Sequence, residues 1–179
     1  MVDLGEIQAA YYMVAATGVL VAAIYYILNL RETRRNGRIA LANNIIQKMT
    51  TSTGMRIYID LLNYEWTDYD DFEKKYGSDN NPDSYAKRYS TWQYYNNLGF
   101  MVRDDVIDAD RLFDLGGNGV PWLWAKFESV IRTQRKLYSL GSFWLWGFEY
   151  LSGEMLKVAK RRDPSYKIPD SYARYVPDK

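Results

Sequence analysis

The chain has 179 residues, with 23 Lys and Arg against 22 Asp and Glu, 17 Tyr, 6 Trp and 6 Phe, and it contains neither cysteine nor histidine. Lacking both, it has no disulfide framework, no thiolate or imidazole metal site, no cysteine nucleophile and no Ser-His triad. The balanced charge lacks the basic excess of a general nucleic-acid binder, so a nucleic-acid partner is not expected.

The N-terminal MVDLGEIQ carries Asp3 and Glu6 and no positive n-region, so it reads as an external end before an uncleaved anchor rather than a secretory signal. Ala9 to Leu28 are twenty consecutive residues without a charge. As a helix they extend roughly 30 Å, the thickness of a bilayer's hydrocarbon core. Tyr11 and Tyr12 near one end and Tyr25 and Tyr26 near the other resemble two aromatic belts, and Arg31, Arg34, Arg35 and Arg38 follow. The positive-inside rule places that basic side in the cytoplasm and the N-terminus outside. Gly18 and Ala22 form a small-xxx-small pair that permits a close helix–helix contact, and Thr17 can bond to its own helix backbone.

The four arginines share one helical face, at i, i+3, i+4 and i+7. Each contributes about 1 kcal/mol of attraction to an anionic lipid surface, although setting topology already explains them. The same face turns apolar at Ala42, Ile45, Ile46 and Met49. One long helix over about residues 7–50 is therefore expected, with Gly37 as a weak point.

Short helices follow. Met55, Tyr58, Ile59 and Leu62 have helical spacing. Thr67 and Asp70 can form a capping box ahead of DDFEKKY, which Gly77 ends. Pro82 opens a helix over about 82–103 bearing Tyr85, Tyr89, Trp92, Tyr95, Leu98 and Val102. Asp108 can cap ADRLFDL, and Pro121 starts a helix with Leu123, Phe127, Val130, Ile131 and Tyr138. In the last helix Trp144, Phe148, Leu151, Met155 and Val158 form a stripe. Trp146 lies off that stripe and is the candidate for a partner or interface surface. No two-residue alternation marks a strand. From Asp163 three prolines forbid a regular helix; Tyr166, Tyr172, Tyr175 and Val176 can pin this tail along the body, or leave it a peptide for a partner.

The uncharged helix followed by LRETRRN and IALANNIIQ, then YSTWQYYNNLGFMVRDDVID and RLFDLGGNGVPWLWAKF, resembles an uncharacterised family of bacterial and archaeal single-pass, membrane-anchored helical proteins. In that pattern a helix ends in LG, a short acidic stretch follows and a Trp-bearing helix comes next. The resemblance implies an architecture. The family is a domain of unknown function, so no active site is carried over.

Each cluster that suggests chemistry also has a structural account. Asp68, Asp70, Asp71 and Glu73 can bind metal, but sit where a helix N-terminus favours acids. DNNPD at 79–83 lacks the turn glycine and the final Glu of a calcium loop. Asp104, Asp105, Asp108 and Asp110 are carboxylates without a defined cleft. GGNG at 116–119 has no following Lys and no preceding strand, so it reads as a turn rather than a phosphate cradle. The expectation is an all-α protein: a short external N-terminus (1–6), a transmembrane helix (7–30), a cytoplasmic bundle of about five helices (31–162) and an extended Pro/Tyr tail (163–179). Three functional readings follow, in order: a non-enzymatic accessory or adaptor subunit of a membrane assembly, a membrane-tethered signalling or stress-response module, and a carboxylate-based enzyme. The expected partners are the lipid bilayer and a protein partner or second copy of the chain; no cofactor or metal is expected.

Overall fold

The computed structural model describes residues 3–170, apart from the side chains of Glu6, Arg38, Ile39, Ala42, Ile46 and Met49. Among the described residues the chain is all-helical, with no strand. It divides into two compact units, one ending at Asn44 and the other beginning at Ile45.

The first unit is made by α1, Leu4–Thr50, whose last residues belong to the second unit. Within it Ile7–Gly37 is long and apolar enough to cross a membrane, and no residue of its apolar window is buried. Thr17 donates its hydroxyl to the Met13 carbonyl at 2.8 Å, the local back-bond by which a hydroxyl inside a helix satisfies itself.

The second unit holds α2 (Ser52–Leu62), α3 (Tyr69–Tyr76), α4 (Pro82–Arg103), α5 (Ala109–Asp114), a 3-10 turn (Gly117–Gly119), α6 (Val120–Leu137) and α7 (Trp146–Arg162). Local chemistry sets the starts. Thr51 caps α2 by accepting from Gly54 N, and Asn81 caps α4 by accepting from Ser84 N, with Pro82 in the first turn. Asp108 caps α5 by accepting from Arg111 N. The cap of α3 falls one residue later than expected. Asp68, not Thr67, accepts from Asp71 N, while Asp71 accepts from the Thr67 backbone N–H. This resembles a capping box, except that the return bond comes from the amide one residue before the cap. Gly116 turns the chain at φ 110° ahead of the 3-10 turn, a conformation natural to glycine.

Packing centres on α7, which lies against α4, α5 and α6. The faces come from helical periodicity: Trp92, Tyr95, Leu98 and Val102 of α4, Leu123, Phe127, Val130 and Ile131 of α6, and Phe148, Leu151, Met155 and Val158 of α7 are all buried. Trp144, expected on the α7 stripe, precedes that helix. In α2 the fully buried residue is Leu61, while Met55 and Ile59 are exposed. Ile45 is buried in the second unit. Ala42, Ile46 and Met49, expected on the same face, have side chains outside the description.

Candidate functional site

The long apolar helix is the first candidate. Tyr11, Tyr12, Tyr25 and Tyr26 are all exposed, and Tyr11 and Tyr12 meet edge-on with ring centroids 6.2 Å apart. Arg31, Arg34 and Arg35 are exposed on the helix that continues from the span; the Arg38 side chain lies outside the described residues. Gly18 has no atom of the chain within 4 Å of the position a Cβ would take, and Ala22 is exposed. The helix face carrying this pair is thus open to a neighbour.

The second unit contains a buried cation that periodicity alone did not single out. Arg88 sits on the inward stripe of α4, four residues before Trp92, and is fully buried. Its guanidinium lies over three rings, at 4.6 Å from the centroid of Trp92, 4.7 Å from Phe72 and 5.1 Å from Tyr85. One nitrogen donates to the Tyr76 carbonyl at 3.3 Å, and Nε and the other terminal nitrogen have no hydrogen-bond partner. Burial holds its pKa below the usual arginine value, opposed chiefly by the field of Glu73. Glu73 Oε1 instead accepts from the Tyr69 hydroxyl at 2.9 Å and Gln134 Nε2 at 3.1 Å. Ring quadrupoles, with the field of that nearby acid, therefore take the place of a salt bridge in offsetting the charge. The site is closed on all sides, so it orders α3 against α4 rather than receiving a ligand.

Lys126 is the second buried cation, 2% exposed. It donates to the Leu62 carbonyl at the end of α2 and lies 5.3 Å from the Trp66 ring centroid. Burial pushes its pKa down to about 8. A Lys amine fits here because the last carbonyls of α2 lack intrahelical donors.

The acidic clusters resolve into structure. Asp68 caps α3, and Asp71 pairs with Lys75 at 2.8 Å. Asp104 pairs with Arg103, and Asp110 with Arg161 and Arg162, tying α5 to α7. Among the described residues no group of three acidic side chains converges as a metal site would. Trp146 is half-buried and stacks on Phe100 and Tyr150, with centroids 6.0 and 5.2 Å away. Arg103 lies 5.8 Å from its ring. Within the described part of the tail, Trp122 Nε1 donates to the Tyr166 hydroxyl at 2.8 Å. Tyr172, Tyr175 and Val176 lie outside the described residues.

An open cavity of about 270 Å³ lies in the second unit beside the start of α2.

Residues 13–145 match the model of a family described as Domain of unknown function (DUF4760). The chain belongs to that family. The match begins inside the apolar span and ends at Leu145, one residue before α7. No curated protein and no solved structure matches the chain. The DUF4760 region thus includes both buried cations and the cavity, while the helix that covers α4 and α6 lies outside it.

Proposed function

We propose that this DUF4760 chain is a non-enzymatic, single-pass membrane module whose helical body serves as an accessory or adaptor subunit of a membrane assembly. The observation that carries this reading is Ile7–Gly37, an apolar helix with no residue of its apolar window buried. A helix apolar all round and uncovered by its own chain belongs in lipid or against other helices. The exposed Arg31, Arg34 and Arg35 at its C-terminal end support a cytoplasmic body and an external N-terminus. In the body, acidic groups are used for caps and ion pairs, which supports a binding role over catalysis. The open Gly18–Ala22 face supports contact with a second membrane helix.

Because the chain has no cysteine, single labels are easily placed. A membrane-impermeant maleimide applied to intact cells should label Gly5→Cys and spare Ser165→Cys. The reverse pattern rejects the orientation, and a soluble protein rejects the anchor. Gentle extraction followed by native mass spectrometry should then retain a stoichiometric partner, and a lone monomer throughout rejects the subunit role.

A further inference from the structure

The cavity beside α2 has walls of one chemical kind and a rim of another. Met55, Ile57 and the rings of Tyr58, Tyr94 and Tyr95 supply apolar surface. Tyr58 donates its hydroxyl to the Gly119 carbonyl at 2.9 Å, which ties α2 to the 3-10 turn at the cavity edge. At about 270 Å³ the volume is close to the lower end of small-molecule sites, which run from about 300 to 1,000 Å³. It is too small for a whole lipid and large enough for a ring-sized body.

The polar groups share a sign. Lys48 is the one charged residue among the described lining residues, and no Asp or Glu lines the cavity with it. The first turn of α2, with Thr51, Thr53 and Gly54, contributes its N-terminal end to the wall, where the helix dipole favours negative charge. Tyr95 lines the cavity while only 5% exposed, and its hydroxyl makes no hydrogen bond among the described residues. The neighbouring Tyr94 hydroxyl, which lines the same cavity, is buried without a partner. Burial raises the pKa of both phenols, Tyr94 to about 12. They therefore stay protonated at neutral pH and can only gain by donating to an acceptor. A buried donor left unpaired, as the Tyr94 hydroxyl is, costs about 1–3 kcal/mol, which a bound acceptor would recover.

We infer that this cavity binds a small carboxylate with an apolar, ring-sized body, its head held by Lys48 and the Tyr95 hydroxyl and its body against Met55, Ile57 and the tyrosine rings. This assignment is independent of the adaptor reading. An ammonium-headed analogue would place a cation beside Lys48 with no acid to receive it, so selection between the two heads is the signature of the site.

The test is calorimetric titration of 2-naphthoate into the full chain in phosphatidylcholine nanodiscs, with empty nanodiscs as the blank. Saturable binding at one site per chain is expected. Ser90→Trp, at an exposed lining position on α4, should weaken it at least tenfold by closing the mouth. Lys48→Gln and Tyr95→Phe should each weaken it severalfold, and 2-naphthylmethylamine should give no saturable heat. Absence of saturation with naphthoate overturns the proposal, as does wild-type affinity in Ser90→Trp. Equal binding of the amine overturns the assignment of an anionic head. Circular dichroism and thermal melting of each variant separate lost binding from lost fold; the exposed Ser90 and Lys48 positions keep the test usable if Tyr95→Phe melts.

Discussion

At the scale of single residues, two cations set the character of the helical body. Arg88 replaces an apolar side chain on the inward face of α4 and is offset by Phe72, Trp92 and Tyr85. Truncating it removes both the stem that fills the core and the charge that the rings receive. Arg88→Ala should cost about 3 kcal/mol, as large-to-small core changes do, read as a shift of the urea midpoint of the full chain in mild detergent. Arg88→Met keeps the volume and removes the desolvated charge, so it should cost clearly less. Equal losses from the two would show that the charge, not the packing, holds the site. Lys126 predicts a pH dependence. In the native chain it loses its proton near pH 8, against an ordinary 10.5. Between these values the unfolded chain binds more protons than the native one, so stability rises with pH there. Above about pH 10 the trend reverses, because Tyr69, Tyr94 and Tyr95 have raised pKa values and stay protonated in the native state while the unfolded phenols ionise. Unfolding midpoints taken from pH 7 to pH 10 should climb in the wild type, and the climb should be lost in Lys126→Met.

At the scale of elements, the crossing of α4 and α7 is the tightest feature of the body. A Cβ on Gly99 would overlap the Gly147 carbonyl, and one on Gly147 would overlap the Asn96 carbonyl. Backbone meets backbone at this point, so neither position can relax by moving a flexible side chain. Gly99→Ala should force the two helices apart and cost about 1–3 kcal/mol or more, the range for overpacked cores; a melting temperature equal to that of wild type would contradict this crossing. The caps behave differently, since each is local. Asp68→Ala should remove the hydrogen bond to Asp71 N and cost about 1 kcal/mol, and Asp68→Asn should restore most of it. The loop between α6 and α7 shows how tertiary packing overrides propensity. Ser139 and Leu145 both adopt left-handed backbone, with φ of 52° and 56°. Leu145 is buried there, so the burial of its side chain helps offset an unfavourable backbone.

At the scale of the whole molecule, the chain order separates an apolar helix from a helical body that begins at Ile45. Replacing Val14, Val19 and Val21 by Lys should move the protein from the membrane pellet to the soluble or aggregated fraction, as a charge near the centre of a span costs about 2.5–3.5 kcal/mol on insertion scales. Replacing Arg31, Arg34, Arg35 and Arg38 by Gln should instead leave it in the pellet and scramble the maleimide pattern. Retention of one orientation in that variant would show that the arginines do not set topology.

What the sequence determined by itself was governed by short-range chemistry. Twenty uncharged residues, Asp108 ahead of ADRLFDL and Pro82 at a helix start make the long apolar helix, the starts of α4 and α5 and the helix order readable, because each depends on neighbours within about one turn, whereas the cap of α3 fell on Asp68 rather than Thr67. The family match covers residues 13–145 of this order. Only the tertiary structure decided what meets across the chain. Arg88 reads as a surface charge until Phe72, Tyr85 and Trp92 close over it, and Lys126 until the end of α2 arrives. The Gly99–Gly147 crossing joins helices nearly fifty residues apart in sequence. The cavity needs α1's end, α2, α4 and the 3-10 turn together, and no single segment contains its shape. Periodicity reports which face turns inward, whereas burial of a charge or an empty volume depends on the packing of several faces at once.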